Sequence, residues 1–177
     1  MRQKQVYKSP ISAMLWSIAL PGLGQIYNRD YIPAFLLIGL EFLINIYSNL
    51  NLAILYSFNG DFQLAHSVIN YQWGLFYPAI YGFSIWQAYN YAKVNNYKGE
   101  GNGVLKKTYF TGFFFGFVIG MDLGLFWHDH KIYEEVKYLA ILHFPVFNGL
   151  LLGFLGALLG TLIEKTYKKT QNRKMAT

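Results

Sequence analysis

The sequence predicts an all-α, polytopic helical integral membrane protein with about four spans and a bent hydrophobic segment near the N-terminus. Three observations support this fold class. Hydrophobic residues make up 54% of the 177 residues and charged residues only 14%, against about 25% charged residues in a typical soluble domain. The apolar residues form long runs, and the basic residues lie almost wholly in alternate gaps between them. Aromatic residues, 19% of the chain, cluster near the ends of the runs, as they do at membrane–water interfaces.

Five apolar segments are the predicted elements. The first, 11–27, is short and is interrupted by Pro21 and Gly22, so we expect it to bend. It ends without a clean cleavage site for a signal peptidase, and we expect it to be retained. A spanning helix needs about 20 apolar residues. Four later segments have that length: 32–57, 73–92, 108–127 and 138–163.

The positions of the lysines and arginines fix the orientation of these segments, because positive charge is retained on the cytoplasmic side. Basic residues flank 11–27, fill the gap 93–107 and crowd the tail after residue 164. These regions and both termini are expected to be cytoplasmic, with 58–72 and 128–137 external. With both of its ends inside, 11–27 is predicted to be a re-entrant or interfacial element. The alternative is a fifth span with an external N-terminus.

Composition excludes several classes of function. The net charge of +6 is spread over juxtamembrane gaps, where it faces anionic lipid, and does not indicate nucleic-acid binding. Cysteine is absent, which excludes a disulfide framework, a thiol nucleophile and a cysteine metal site. The chain has no glycine-rich phosphate loop after a strand and no G-x-S-x-G turn. We therefore expect neither an enzymatic activity nor a cofactor.

A single membrane domain is expected over residues 1–177, with two halves, 1–96 and 104–177, on either side of an asparagine- and glycine-rich linker. Glycines recur along two helices of the second half. In a bilayer little hydrophobic force acts between helices, and glycine faces let two backbones approach closely. We expect these helices to pack as a hairpin; the alternative is an interface between copies of the chain that lines a pore. The glycines are Gly112, Gly116, Gly120 and Gly124 on one helix and Gly149, Gly153, Gly156 and Gly160 on the other.

Two motifs carry a resemblance to a known family. Residues 21–31 read P-G-L-G-Q-I-Y-N-R-D-Y before an apolar helix, and residues 84–92 read S-I-W-Q-A-Y-N-Y-A. Together they resemble small bacterial membrane proteins related to the TM2 domain, which carry a P-G-L-G-Q-x-Y-N turn and a later W-x-x-D-A-Y-x-x-A element. The resemblance covers about residues 9–96 and implies a membrane location and architecture, not an activity. Gln87 stands where the family pattern has Asp, so no role of that carboxylate carries over.

The residue types of the first motif predict a tight corner between two helices. Proline ends a helix, and glycine permits a turn or a close backbone approach. The amides are expected to satisfy backbone groups freed at the turn, and the tyrosine to anchor at headgroup depth. Arg29 is an alternative contact to a lipid headgroup or a partner. The predicted turn residues are Pro21, Gly22, Gly24, Gln25, Tyr27 and Asn28.

Polar residues inside apolar segments are the candidates for chemistry, because ionisable groups in a membrane are costly. Glu41 and Asn45 lie one helical turn apart near the middle of 32–57. Asp122 and His143 lie at similar depth in consecutive segments and could pair across the predicted hairpin, where the pair would either neutralise two buried groups or relay protons. His128 and His130 form a weak candidate metal site, since their spacing matches no known zinc motif.

The function expected from the sequence is non-enzymatic: an accessory or association module of the bacterial cytoplasmic membrane that binds membrane partners or itself. Two alternatives belong to different classes. One is a small homo-oligomeric channel or transporter that uses Glu41 and Asp122. The other is a metal-dependent membrane sensor or enzyme that uses His128 and His130.

Overall fold

The computed structural model describes residues 6–99, 109–127, 142 and 144–174, and the regular structure in these ranges is helical, with no strand. The predicted all-α class is therefore confirmed. The first helices are α1 (Pro10–Ala19), α2 (Leu23–Tyr27), α3 (Tyr31–Ser48) and α4 (Leu50–Asn59). They are followed by α5 (Phe62–Val68), α6 (Tyr71–Gly74), α7 (Tyr77–Gly99), α8 (Thr111–Trp127) and α9 (Pro145–Lys174).

The helices form two compact units. The first unit comprises 1–43 and 79–109, and the second comprises 44–78 and 110–177, in each case as far as the chain is described. One boundary lies within α3 and another near the start of α7. The division therefore does not follow the predicted linker alone, because 44–78 groups with the C-terminal part of the chain.

Two described helices are long and apolar enough to cross a membrane, namely α3 and the part of α9 over Pro145–Gln171. The apolar helices α1 and α8 are shorter, with 10 and 17 residues. Helix α7 has 23 residues, but its second half contains asparagine, tyrosine and lysine side chains that lower its mean hydropathy. The four long segments predicted from the sequence thus differ in how well the folded helices meet the requirements for a span.

The segment 32–57, predicted to be one helix, is broken at Asn49. This residue has a left-handed backbone with φ of 55° and separates α3 from α4. Its side-chain amide donates to the carbonyl of Val68 at 3.0 Å. The backbone N–H of Asn70 donates to the carbonyl of Ser48 at 2.8 Å. The break persists because Asn70 donates to the carbonyl of Ser48, which a continuous helix would satisfy itself, and because the last residue of α5 accepts from the Asn49 side chain. The expectation of one helix was wrong because these partners are distant in sequence.

The predicted bend in 11–27 is present. Helix α1 ends at Ala19, Leu20 is extended, and Gly22 takes a φ of 101° immediately before α2. Only a residue without a Cβ adopts this backbone readily. Ser9 caps α1 by accepting from the amide of Ser12, and Pro10 occupies the first turn, where its missing N–H is not needed.

Candidate functional site

The turn at residues 21–28 packs so closely that its glycines have no room for a side chain. A Cβ on Gly22 would lie 2.6 Å from the carbonyl oxygen of Ala34 in α3. A Cβ on Gly24 would overlap the carbonyl of Ala13 and would lie 2.8 Å from the Cβ of Ala88 in α7. The turn therefore brings α1, α3 and α7 together within the first unit.

Gln25 is the centre of a buried hydrogen-bond network in this corner. Its side chain is fully buried, and its Nε2 donates to the carbonyl of Ser84 at 2.8 Å and to Oε1 of Gln87 at 2.9 Å. Its Oε1 accepts from the hydroxyls of Ser17 at 3.3 Å and Ser84 at 3.2 Å. The Ser84 hydroxyl also accepts from the amide of Gly22 at 3.1 Å. The two sequence motifs are thus joined by direct hydrogen bonds, which neither motif indicates alone.

Two further contacts extend this junction of the motifs. Asn28 donates from Nδ2 to the carbonyl of Ala88 at 2.8 Å. Gln87 donates from Nε2 to Oδ2 of Asp30 at 2.8 Å while it accepts from Gln25. Gln87 therefore links an amide donor to a carboxylate acceptor, which a carboxylate at the same position would not do because it has no proton to donate.

The hydroxyl of Tyr27 accepts from the backbone amide of Ser9 at 3.1 Å, and the ammonium group of Lys8 lies 4.7 Å from the centre of the Tyr27 ring. The turn motif thereby also holds the start of α1. The roles of Ser84 and Gln87 were missed from the sequence, although the spacing of Ser84, Gln87 and Ala88 by three and four residues places them on one face of a helix.

Two asparagines of α7 each bind the backbone of a distant segment through both ends of the carboxamide. Asn96 accepts from the amide of Lys8 at 2.9 Å and donates to its carbonyl at 2.6 Å. Asn90 accepts from the amide of Tyr109 at 2.8 Å and donates to its carbonyl at 3.1 Å. The segments before α1 and before α8 are thereby held against the same end of α7.

A cavity of about 400 Å³ lies between these two segments and α7, within the first unit. Lys93 is the cation in its wall, and its ammonium group lies 4.6 Å from the centre of the Tyr109 ring. Among the described residues, none that lines the cavity is acidic. The polar residues that line it are Tyr7, Ser9, Tyr89, Lys93, Asn96, Tyr97 and Tyr109.

The glycine faces of α8 and α9 meet within the chain, in the second unit. A Cβ on Gly112 or Gly116 would overlap the carbonyl of Gly160 or Gly156, respectively, and the reverse substitutions would overlap in the same way. Gly120 faces Leu152, and a Cβ on Gly124 would lie 2.5 Å from the carbonyl oxygen of Asn148. The contacting residue falls by four on α9 as it rises by four on α8, so the helices are antiparallel and in register.

The remaining glycines of α9 are less uniform. A Cβ on Gly153 would lie 2.6 Å from the side chain of Met121, whereas one on Gly149 would lie 3.3 Å from that of Leu125.

Hydrogen bonds between α8 and α9 lie at both ends of the glycine contact. Asn148, fully buried, donates to the carbonyl of Gly124 at 2.8 Å, and Glu164 accepts from the amide of Gly112 at 2.8 Å.

The polar residues predicted within the apolar segments lie in different environments. Glu41 is 6% exposed and lies in the first unit. Asn45 is partly buried and belongs to the second unit. Asp122 is partly exposed on α8, and its Oδ1 has no hydrogen-bond partner within the described ranges. The roles proposed for Glu41 and Asp122 in a channel stay predictions.

The predicted partner of Asp122, His143, lies outside the described residues, as do the candidate metal ligands His128 and His130. In the part of the chain that the structure describes, no group of three or more histidine, aspartate or glutamate residues is placed to hold a metal ion.

No protein-family model, curated protein or solved structure matches this chain. The resemblance to proteins related to the TM2 domain stays a prediction based on the two motifs. Over the described residues, the fold and the contacts above define an all-helical protein with two apolar helices long enough to span a membrane, and with polar side chains that join its helices.

Proposed function

We propose that this chain is a multi-pass protein of the bacterial cytoplasmic membrane, with both termini in the cytoplasm, that acts as a non-enzymatic association module. Its partner is another membrane protein or a second copy of the chain. In this proposal α3, α7, α8 and α9 cross the bilayer, and α1 with α2 forms a bent element at the cytoplasmic side.

The observation that carries the proposal is the exposed apolar surface of α9. The glycine face of this helix is covered by α8, but its other faces are apolar and open, with Leu158 61% and Ile163 69% exposed. In the most apolar stretch of α9 only 22% is buried, and in that of α3 only 28% is buried. Surfaces of this kind are covered by lipid or by a partner.

The lengths of the helices fit this arrangement. Helix α3 has 18 residues and α8 has 17, which correspond to about 27 and 26 Å at 1.5 Å per residue. The hydrocarbon core is about 30 Å thick, and a small shortfall is met by local thinning of the bilayer or by flanking polar side chains. Lys93, in the second half of α7, suits the cytoplasmic headgroup region, which its long side chain can reach.

The use of the polar side chains supports a structural role. Gln25, Asn28, Asn90 and Asn148 all donate to backbone carbonyls of other segments within their units. Such hydrogen bonds between helices stabilise membrane bundles, in which a polar group without a partner is costly. Because the glycine faces of α8 and α9 are occupied by each other, a partner would bind the open apolar faces instead.

Membrane insertion is tested first, by washing native membranes with alkaline carbonate. We expect the chain to remain in the pellet, and its release would contradict the proposed membrane location.

Association is tested by placing a photo-crosslinking amino acid at Phe154 or Leu158, both exposed on α9, in living cells. The control position is Thr170, exposed on the same helix beyond its apolar part. We expect a discrete protein adduct from the apolar positions and none from the control. An adduct of twice the chain mass indicates self-association, and another mass indicates a different partner. Absence of any protein adduct from these positions and from exposed positions of α3 would contradict the association function.

A further inference from the structure

We propose that the cavity beside Lys93 binds the phosphate-bearing headgroup of an anionic phospholipid. This inference rests on the proposed membrane location and adds a ligand class to it. The site is built from three parts of the first unit: the segment before α1 together with the first residues of α1, the second half of α7, and Tyr109.

The walls of the cavity are held in place by hydrogen bonds that leave its interior open. Asn96 fixes the backbone of Lys8, and Asn90 fixes the backbone of Tyr109, each through a paired donor and acceptor. The tyrosine and lysine side chains therefore line a volume whose shape is set by the backbone. A preorganised site of this kind loses less entropy when a ligand binds.

The chemistry of the lining suits an anion with several acceptor oxygens. Lys93 supplies a positive charge with three donors, and the hydroxyls of Tyr7 and Tyr97 are further donors. Lys8 adds a second positive charge nearby, over the ring of Tyr27. No carboxylate among the described lining residues opposes an anion. A phosphate diester, which has charge and acceptor oxygens but no donor of its own, matches this arrangement.

The surroundings favour a lipid over a free phosphate. Tyr7 and Ile11, at the rim of the cavity, are 68% and 60% exposed, and the exposed apolar side chains continue along α1 at Leu15 and Ile18. An acyl chain could pack against this apolar surface beside the cavity, whereas inorganic phosphate has no apolar part that would contact it. In the predicted topology Lys93 lies at the cytoplasmic leaflet, where anionic lipids give a negative surface potential.

The experiment measures lipid binding to the purified full chain by native mass spectrometry in a mild detergent. Phosphatidylglycerol and phosphatidylcholine with identical acyl chains are compared. We expect phosphatidylglycerol to bind more tightly and Lys93→Gln to weaken its binding about tenfold, as for the loss of one charge-assisted hydrogen bond. Lys93→Arg should retain binding. The matched control is Lys165→Gln, which removes an exposed lysine of α9 outside the cavity and should leave binding unchanged.

Several outcomes would overturn the inference. Equal binding of the two lipids, or unchanged phosphatidylglycerol binding in Lys93→Gln, would exclude a specific headgroup site. If Lys93→Gln does not fold, Tyr97→Phe is measured, and unchanged binding in that variant would have the same meaning. Full displacement of the lipid by glycerol 1-phosphate or inorganic phosphate at equal concentration would show a site for free phosphates. Carbonate-resistant membrane insertion without lipid preference would refute this inference alone, whereas extraction by carbonate would refute the proposed function.

Discussion

Side-chain amides join the helices of the first unit by binding backbone atoms that belong to other segments. A carboxamide offers both a donor and an acceptor without a charge, so it can replace a missing peptide partner inside an apolar environment at moderate cost. The Gln25 side chain donates through Nε2 and accepts through Oε1 at the same time. Asn90 and Asn96 each bind both the backbone N–H and the backbone carbonyl of one distant residue. These hydrogen bonds cannot be predicted from the local sequence, because the partners are about 60 to 90 residues apart in most cases.

Replacement of Gln25 by leucine should destabilise the protein. The variant leaves Gln87 without a donor and the hydroxyls of Ser17 and Ser84 without an acceptor in a buried site. We expect the free energy of unfolding to fall by roughly 1–3 kcal/mol, measured by thermal unfolding in detergent. Gln72→Leu, which changes an exposed glutamine of α6, is the control and should have little effect. Equal melting temperatures for the two variants would contradict a structural role of the network.

Gln87→Asp tests the link between Gln25 and Asp30. It restores the residue type of the family pattern, but here it removes the proton donated to Asp30 and brings two carboxylates together. We expect a loss of roughly 1–3 kcal/mol of stability. Asp30→Asn, introduced in the same chain, should recover most of this loss because its amide can donate to the new carboxylate.

The check on that prediction is a double-mutant cycle, since groups in one hydrogen-bond network have non-additive effects. Additive losses in the doubly substituted chain would mean that the two positions act independently, contrary to the geometry.

At the scale of helices, the pairing of α8 with α9 was indicated by the sequence and the break in α3–α4 was not. Glycines spaced four residues apart are a local pattern, and in a membrane helix they allow the backbone of a second helix to approach closely. The left-handed Asn49 has no such pattern. Its conformation depends on Val68 and Asn70, which reach it only after the chain has folded back through α5. An asparagine within an apolar run suggests such a break only weakly.

Gly116→Ala should destabilise the pairing of α8 and α9, because the added methyl group would overlap the carbonyl of Gly156. We expect a loss of roughly 1–3 kcal/mol. The matched control is Gly39→Ala in α3, where nothing lies within 4 Å of the added Cβ, so stability should be unchanged or rise by up to about 1 kcal/mol. Thermal unfolding of both variants in the same detergent gives the comparison, and a Gly116→Ala chain as stable as Gly39→Ala would contradict the close contact.

At the scale of the whole chain, the pattern of charge and hydropathy suffices to predict an all-helical fold, but it does not predict how the helices group. The sequence places a linker after residue 96, whereas 44–78 groups with 110–177. Grouping depends on contacts between distant segments, such as the stacked rings of Phe62 and Phe144, and neither composition nor periodicity encodes these contacts. The cavity was missed for the same reason, since its lining comes from three separate segments.

The proposed topology predicts the side of the membrane for reporters fused after residues 65, 102 and 177. Position 65 should be external, and positions 102 and 177 cytoplasmic, because the basic residues concentrate near the latter two. A pair of reporters, one active only in the cytoplasm and one only outside, gives opposite signals at each position. A cytoplasmic signal at position 65 would overturn the proposed number of spans.

The contact between α8 and α9 also has a consequence for weak hydrogen bonding. At Gly116 and Gly156 the direction that a side chain would take is occupied by a hydrogen on Cα, and that hydrogen points at the carbonyl oxygen of the opposite glycine. The same reciprocal geometry holds for Gly112 and Gly160. Such Cα–H···O=C interactions contribute about 0.5–1 kcal/mol each. Glycine α-protons held in this way are deshielded unequally, so these residues should carry two well-separated α-proton resonances, whereas Gly39 should not.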